Sequence, residues 1–431
     1  MIWYDFEHGP ALTRAHAQNR PKVSSMEGII LTGYLNDLFS AAALRQKASP
    51  IRDLFKVIRQ PGMISFAGGM PDPEIFPVEQ FYDSAGILSR EGRDILQYGM
   101  TDGYPPLKEF LISWTRERMG RPVSPEQMLI TSGSIQVADL LTLATIDEGD
   151  FVITEAPTFL GTTLDMYNHG ARFLCVPCDS DGMQVDMIPA QVERTRSEGN
   201  KVKYIYTIAN FQNPLGCTMS LKRRKKLVEI AQKYNLVILE DDPYGYVRFE
   251  GDPMPSLYSL DDKGIVLYAG SFSKILAPGT RVGWCVGNAD LIRKMTVFKQ
   301  GVDTSTSIVS QAIVYEYCRK GYLDEFLPKI IAHYRKKRNG MEASLQAYLP
   351  KGEANYNKPS GGFFYWLNTP AIKTDDLFDK AIEKKVAFVK GEPFFPNGGG
   401  EHEFRMCYTF ASPEQTEEGI KRLGEAMKEL L

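Results

Sequence analysis

The chain has 431 residues, of which 43% are hydrophobic and 24% are charged, and its formal net charge is -3 at pH 7. This composition is ordinary for a globular protein with a sizeable core and more than one domain or subdomain. No apolar run approaches the ~20 residues that a membrane span requires. The first residues also lack the pattern of a signal peptide. We therefore expect a cytoplasmic protein without a membrane partner.

The basic, cysteine and histidine residues argue against three further classes of function. The largest basic run, "LKRRKK" at 221–226, opens an amphipathic helix pattern, so we interpret it as a solvated face and expect no nucleic-acid partner. Six cysteines are scattered along the chain, which favours reduced thiols. Cys175 and Cys178 have redox-type spacing but lie in an apolar strand pattern, so we interpret them as structural. Five histidines are isolated from one another, and no metal site is predicted.

In chain order, residues 1–35 are irregular in composition and are predicted to be an N-terminal extension. A helical pattern, "NDLFSAAALRQKA", follows at 36–48 and ends at a Ser-Pro break. From 128 to about 288, short apolar strands alternate with helical patterns. This alternation predicts the α/β class, with a mostly parallel sheet flanked by helices. Beyond 330 the pattern changes to a long charged helix, two strands and a last helix, so we predict a large domain at 71–329 and a smaller α+β C-terminal domain at 330–431.

Polar residues follow four of the predicted strands, at the sheet edge where open α/β folds bind ligands. "SGSIQ" at 132–136 opens a helix, and the free N–H groups of a helix start favour a phosphate. "FQNPLG", "DDPY" and "SFSK" bring Asn213, Asp241, Tyr244 and Lys274 to later strand ends. Singly these motifs are compatible with ordinary turns and solvated charges. Together, phosphate donors, a carboxylate, a tyrosine and a lysine match the requirements of pyridoxal phosphate.

Five motifs in this order, "FAGGMPDPEIFP", "TSGSIQ", "FQNPLG", "EDDPY" and "SFSKILAPGTRVGW", resemble the fold-type I aminotransferases that depend on pyridoxal 5'-phosphate. The likeness covers roughly 36–431 and extends to "GEPFFPNGGGEHEFRMCYT" in the C-terminal part, as in the 2-aminoadipate and kynurenine aminotransferase group. It implies the fold of type I pyridoxal phosphate transferases. It also implies exchange of an amino group between an L-amino acid, of 2-aminoadipate, aromatic or branched-chain type, and a 2-oxo acid such as 2-oxoglutarate.

The resemblance also implies a role for each cofactor-binding residue. Lys274 would hold the cofactor through a Schiff base and move a proton from the substrate α-carbon. Asp241 would keep the pyridine nitrogen protonated, whereas Asp242 is the better candidate for a turn cap. Tyr244 and Asn213 would bond the phenolic oxygen, and Asn213 would also contact the substrate. The phosphate is expected to bind Ser134, Ile135, Ser271 and Arg281.

Two aromatic residues complete the implied cofactor site. Phe159 would stack on the pyridine ring, where the family more often has tyrosine; the stacking is retained and only a hydroxyl is lost. Tyr98 would reach the phosphate of the neighbouring subunit, which implies a homodimer with shared active sites. Ile135 stands where glutamine is common, and this change should be tolerated because the backbone N–H is the expected donor.

The substrate is expected to contact residues from both ends of the chain. Arg405, in the alternating strand pattern "EFRMCYT", would bind the substrate α-carboxylate, since a buried arginine needs an anionic partner. Gly69 would line the same site. In "ASPIRDLF", Ser49 and Arg52 match a family segment that folds over the substrate side chain, so 36–70 is predicted to combine the N-terminal helix with a substrate-covering segment. Arg52 would pair with the distal carboxylate of an acidic substrate, or else be a surface charge.

The sequence leaves two alternatives to an aminotransferase open. One is another fold-type I pyridoxal phosphate enzyme, a lyase or a decarboxylase. The other is a regulator with an aminotransferase-like domain, which would need a DNA-binding winged helix ahead of it. The residues before Ser49 are too few and too weakly basic for such a module.

Overall fold

The computed structural model describes residues 37–46 and 60–431. The predictions for Ser49 and Arg52 therefore lie outside the described residues. Within the helix predicted at 36–48, a short helix, α1, spans Ala41–Arg45. After residue 60 the first elements are β1 (Ile64–Ser65), α2 (Val78–Ala85), α3 (Ile87–Ile95) and α4 (Pro105–Met119).

An eight-stranded sheet follows in the described part of the chain. Its strands are β2 (Met128–Thr131), β3 (Phe151–Ala156), β4 (Arg172–Asp179), β5 (Gly182–Met183), β6 (Val202–Thr207), β7 (Val237–Asp241), β8 (Val266–Ser271) and β9 (Gly283–Val286). Their spatial order is β2-β9-β8-β7-β6-β3-β4-β5. The strands from β8 to β4 run parallel, whereas β9 is antiparallel to both β8 and β2. Because the direction reverses twice across β9, the carboxyl end of β2 lies at the same edge as those of β6, β7 and β8.

Helices cover both faces of this sheet, as predicted. The helices from β2 to the C-terminal part are α5 (Ser134–Thr145), α6 (Leu160–Asn168), α7 (Ile188–Ser197), α8 (Leu221–Tyr234), α9 (Leu257–Leu260), α10 (Ala289–Val302), α11 (Ile308–Arg319) and α12 (Tyr322–Tyr348), of which α11 and α12 pack on other helices. Successive strand residues point to opposite faces. Accordingly, Met128 and Ile130 of β2 pack in one buried apolar cluster and Leu129 packs in another.

The C-terminal part forms a smaller antiparallel sheet. Its elements are β10 (Asn355–Tyr356), β11 (Phe364–Asn368), α13 (Thr374–Glu383), β12 (Val386–Ala387), β13 (Val389–Lys390), β14 (Glu403–Cys407) and α14 (Pro413–Leu430). The four-stranded order is β10-β11-β14-β13, and β1 pairs in parallel with β12. The predicted boundary between residues 329 and 330 falls inside the continuous helix α12, so the domain limits stay a prediction.

The basic run at the start of α8 is not a wholly solvated face, and this expectation was wrong for Arg224. Its side chain is fully buried, and its guanidinium donates to the carbonyls of Met219, Ala209 and Pro255 and to Asn210 Oδ1. Arg224 lies one helical turn before buried Leu227, on the face of α8 that meets the sheet. It therefore holds the backbone that follows β6.

The cysteines are free thiols, and Cys175 and Cys178 lie in β4 as expected. Burial raises the pKa of both thiols, which makes them poor nucleophiles. Of the helices that the structure describes, none combines the length and the apolar character needed to span a membrane.

Candidate active site

A cavity of about 290 Å³ opens at the carboxyl ends of β6, β7 and β8. Most of the predicted site residues line it: Gly69, Ser134, Ile135, Phe159, Asn213, Asp241, Tyr244, Ser271, Lys274, Arg281 and Arg405. Tyr98 lies elsewhere, with 87% of its surface exposed. The sheet edge therefore gathers residues that are up to 336 positions apart in sequence, from Gly69 to Arg405.

Lys274 lies three residues after β8, in the turn that leads towards β9. Its Nζ donates a hydrogen bond to the carbonyl oxygen of Gly69 at 2.8 Å. Burial is the main cause that lowers the pKa of Lys274 to about 8; Cys407 acts in the opposite direction, and the charges of Arg405 and Arg281 act in the same direction as burial. A sizeable fraction of the amine is therefore neutral near physiological pH, which a nucleophile or a base requires.

Asp241, the last residue of β7, has one bonded and one unbonded carboxylate oxygen. Oδ2 accepts from the hydroxyl of Tyr206 at 3.1 Å, whereas Oδ1 is buried and has no hydrogen-bond partner in the described structure. Burial raises the pKa of Asp241 to about 6, although the Tyr206 and Ser134 hydroxyls act in the opposite direction. A buried oxygen without a partner is costly. Asp241 therefore fits a ligand that brings a protonated ring nitrogen to Oδ1.

Asp242, the next residue, is in a contrasting position. Its Oδ1 accepts from Asn210 Nδ2 and from the backbone N–H of Gly245, both at 3.0 Å, and its Oδ2 accepts from the hydroxyl of Tyr268 at 3.2 Å. All of its bonds hold the turn after β7. Asp242 is thus the capping residue, as the sequence indicated.

The turn at 132–135, between β2 and α5, is built to approach an anion. Gly133 has a φ of +86°, which favours glycine, and an added Cβ would lie 2.5 Å from Nη2 of Arg281. The same Nη2 donates to the carbonyl oxygen of Ser132 at 2.7 Å. A guanidinium and the N-terminal N–H groups of a helix are therefore adjacent, and both favour a phosphate. Ser271 lies nearby in the same cavity wall, where its hydroxyl accepts from the N–H of Ser273 at 3.1 Å.

Arg405, in β14 of the smaller sheet, is 2% exposed. Its guanidinium donates to Asn213 Oδ1 at 2.9 Å and to the carbonyl oxygen of Ala67 at 2.8 Å, and it stacks 4.3 Å from the ring centre of Phe364. Its Nε is buried without a partner, and no ion pair among the described residues involves Arg405. A buried guanidinium with no carboxylate beside it fits a ligand that carries one.

Tyr244 lies near the Lys274 ammonium, and Asn213 bonds the Arg405 guanidinium. Each is 4% exposed, and burial raises the pKa of the Tyr244 hydroxyl, which a hydrogen bond with Asn213 partly offsets. The Nζ of Lys274 is 6.0 Å from the centre of the Tyr244 ring. The phenol and the amide are therefore placed to bond one polar atom of a ligand held near Lys274.

The sequence did not reveal the roles of Tyr206, which bonds Asp241, or of Met70 and Phe364, which line the cavity. Tyr206 belongs to an apolar strand pattern, and only the fold shows that its hydroxyl meets Asp241. Phe364 and Met70 line the cavity as apolar surface. Their composition carries no chemical signal, so only the three-dimensional arrangement could identify them.

The fold and the cavity together define an enzyme of the pyridoxal phosphate class. The family "Aminotransferase class I and II" matches residues 72–423. The chain therefore belongs to the class I and II aminotransferases, and it is a pyridoxal 5'-phosphate-dependent aminotransferase of fold type I.

Relatives of known name agree with this assignment. The aromatic-amino-acid aminotransferase 1 of Thermococcus litoralis is 42% identical over 91% of this chain and 94% of its own length. The 2-aminoadipate transaminase of Thermus thermophilus is 39% identical over 92% of this chain and 98% of its own length. A crystal structure of the kynurenine aminotransferase of Pyrococcus horikoshii, in complex with PMP, superposes with a TM-score of 0.88. The two sequences are 39% identical, and the match covers 93% of this chain and 99% of the other.

Proposed function

We propose that Lys274, Asp241 and Tyr244 carry the catalysis of this aminotransferase. The observation that supports this most directly is the combination, in one cavity, of a lysine with a pKa of about 8 and a buried Asp241 oxygen without a partner. Pyridoxal 5'-phosphate supplies, when bound, a carbonyl that condenses with amines and a ring that withdraws electrons from the carbon beside the nitrogen.

The residues of the chain then have separate tasks. The Nζ of Lys274, oriented by the Gly69 carbonyl, would take the proton from the substrate α-carbon and pass it to the aldehyde-derived carbon of the cofactor, and it would reverse this transfer in the second half-reaction. Asp241, held by Tyr206, keeps a proton on the ring nitrogen through its charge. Tyr244 and Asn213 donate hydrogen bonds to the phenolic oxygen.

The remaining cofactor contacts are with its phosphate, near the turn at 132–135, and with one face of its ring. The N–H groups of the turn at Ser134 and Ile135, together with Ser271 and Arg281, bind the phosphate. Phe159 lines the cavity and packs against one face of the ring. Aromatic stacking tolerates the loss of the tyrosine hydroxyl.

Arg405 binds the α-carboxylate of the amino acid, because its guanidinium is desolvated and has no anionic partner in the described residues. Met70, Ile135 and Phe364 give the cavity an apolar wall, which suits an aromatic or branched side chain. The named relatives act on aromatic amino acids, 2-aminoadipate and kynurenine. We therefore propose an L-amino acid of these types as donor and 2-oxoglutarate as acceptor.

A panel of amino acids tested with 2-oxoglutarate checks the substrate class. Formation of glutamate from phenylalanine, leucine or 2-aminoadipate supports the proposal. If only small donors such as alanine react, the proposed apolar wall does not select the substrate.

The segment at 36–70, with Ser49 and Arg52, is proposed to cover the substrate side chain. Arg52 then bonds the distal carboxylate of 2-aminoadipate or glutamate. A charge-assisted hydrogen bond of this kind is worth about 1.5–3 kcal/mol, so Arg52→Gln should lower kcat/KM for acidic substrates by roughly 10- to 150-fold. Leucine and phenylalanine serve as internal controls and should change little. An equal loss for all four substrates would assign Arg52 a structural role.

We also propose a homodimer with shared active sites. Tyr98 is 87% exposed, between exposed Leu96 and Met100, and such apolar surface favours a protein partner. Hybrid dimers of a Lys274→Ala chain and a Tyr98→Ala chain test this arrangement. If Tyr98 completes the partner's site, one of the two sites in each hybrid is intact and activity returns. Absence of activity in the hybrids would contradict sharing. The cytoplasmic location and the domain limits at 71–329 and 330–431 stay predictions of the sequence.

A further inference from the structure

An ion pair between a fully buried lysine and a partly exposed aspartate lies beside the turn at 132–135. Lys299 of α10 is fully buried, and its Nζ donates to both carboxylate oxygens of Asp303 at 2.7 Å, to Gln136 Oε1 at 3.0 Å and to Thr306 Oγ1 at 3.1 Å. An ammonium has three protons to donate. These acceptors therefore occupy Lys299 completely, so it cannot contact a ligand in the cavity.

The ion pair holds the turn at both ends. Asp303 Oδ2 accepts from the hydroxyl of Ser132 at 3.1 Å and from Gln136 Nε2 at 2.8 Å. Gln136 Oε1 in turn accepts from the backbone N–H of Ser132 at 2.8 Å. Ser132, the first residue of the turn, and Gln136, directly after it, are thus bonded to one carboxylate and to one another.

The same network reaches the cation of the proposed phosphate site. Ser132, fixed by Asp303 and Gln136, presents its carbonyl oxygen to Nη2 of Arg281 at 2.7 Å. Residues 133–135 lie between the two anchored residues and supply the N–H groups of the α5 start. The Lys299 and Asp303 charges neutralise each other, which leaves the charge of Arg281 available to a ligand.

We propose that Lys299 and Asp303 are positioning residues for the cofactor phosphate: without touching it, they fix the geometry of its donors. Since the inference rests on the proposed phosphate site, its test must separate affinity for the phosphate from affinity for the rest of the cofactor. Pyridoxal carries the same ring and carbonyl without the phosphate. The ratio of the dissociation constants for pyridoxal and pyridoxal 5'-phosphate therefore measures what the phosphate contributes.

The experiment measures both constants for the apoprotein by titration with fluorescence detection, in the wild type, Lys299→Met and Asp303→Asn. Lys299→Met removes the charge at similar volume, and Asp303→Asn is milder because the amide retains one acceptor oxygen. The dissociation constant for pyridoxal, divided by that for pyridoxal 5'-phosphate, should fall roughly 10-fold in Lys299→Met and less in Asp303→Asn. The affinity for pyridoxal itself should be nearly unchanged. Thermal unfolding confirms that each variant is folded.

Lys203→Met is the matched control. Lys203 of β6 pairs with Asp150 at 2.9 Å, near the amino ends of the strands and away from the cavity. The Lys203→Met substitution should leave the ratio of the two dissociation constants unchanged. A folded Lys299→Met or Asp303→Asn protein with the wild-type ratio would overturn the inference, as would an equal loss of affinity for both ligands. A wild type that binds pyridoxal as tightly as pyridoxal 5'-phosphate would instead refute the phosphate site itself.

Discussion

The two sheets each deliver one enclosed cation to the cavity, and the two cations are held differently. Lys274, after β8 of the large sheet, donates to a single carbonyl, and its pKa is lowered to about 8. Arg405, in β14 of the small sheet, donates to two acceptors and lies against the rings of Phe364 and Phe394. A group that moves protons must change its charge, whereas a group that binds a carboxylate must keep it. The structure places an adjustable lysine at the first position and a permanently charged arginine at the second.

The largest expected effect comes from removing the adjustable cation. Lys274→Ala should lower kcat by at least about 10²–10⁴-fold, because the α-proton then has no base. Steady-state assays with phenylalanine and 2-oxoglutarate measure the loss. Lys274→Arg keeps the charge but not the neutral amine, so it should be nearly as inactive. An active Lys274→Arg enzyme would mean that the charge alone matters at this position.

The neighbouring acids Asp241 and Asp242 offer a second comparison, between a carboxylate that faces the cavity and a carboxylate that bonds only within the protein. Asp241→Asn should lower kcat by roughly 10²-fold or more, since it removes the charge that faces the ring nitrogen. Asp242→Asn should mainly lower the melting temperature, because Asp242 is bonded only within the protein. Parallel kinetics and thermal unfolding of both variants compare them. Equal losses of kcat would show that the two acids were assigned wrongly.

At the permanently charged position, Arg405→Lys should lower kcat/KM by roughly 10- to 150-fold. A lysine cannot keep the two contacts within the protein and also offer a planar pair of donors to a carboxylate. Arg338→Lys is the control. Arg338 is also fully buried, but it bonds Pro359 and Glu250 outside the cavity. The Arg338→Lys substitution should lower the stability of the protein and leave KM unchanged. If both variants raise KM alike, burial of an arginine is the cause and not contact with the substrate.

The last expected effect is on the stability of the apoprotein and leaves catalysis aside. The pKa of Lys274 falls from 10.5 to about 8 on folding, so the folded state binds fewer protons than the unfolded state between these values. Lys274→Met should therefore stabilise the apoprotein below pH 8, by up to about 3 kcal/mol. The difference should shrink as the pH rises from 8 and vanish above 10.5, where both states hold a neutral amine. Urea unfolding at several pH values measures it, and an advantage that persists at high pH would contradict the assignment.

The sequence predicted the large sheet and its functional edge more fully than the surroundings of the site. Apolar strands with β-branched residues and polar strand ends carry a local signal, so Lys274, Asp241 and Asn213 could be located before the fold was known. Arg405 could be found because it interrupts an alternating apolar strand. These residues stand out in their immediate neighbourhoods.

Other features depend on contacts between distant segments and have no local signal. The burial of Arg224 is one, because a basic run at a helix start looks the same whether it faces water or the core. The hydrogen bond from Tyr206 to Asp241 and the bond from Lys299 across to Gln136 are two more. Such contacts are decided by the packing of α10 and the strands, and the spacing of residues in the chain does not encode them.

The most direct test of transamination in this cavity mixes the holoenzyme with an amino donor and no 2-oxo acid. We expect the yellow colour of the pyridoxal form to fade as one equivalent of 2-oxo acid per active site is released and pyridoxamine 5'-phosphate accumulates. Addition of 2-oxoglutarate should then restore the colour and form glutamate. Continuous release of carbon dioxide or of an elimination product, with the colour unchanged, would contradict transamination in this cavity.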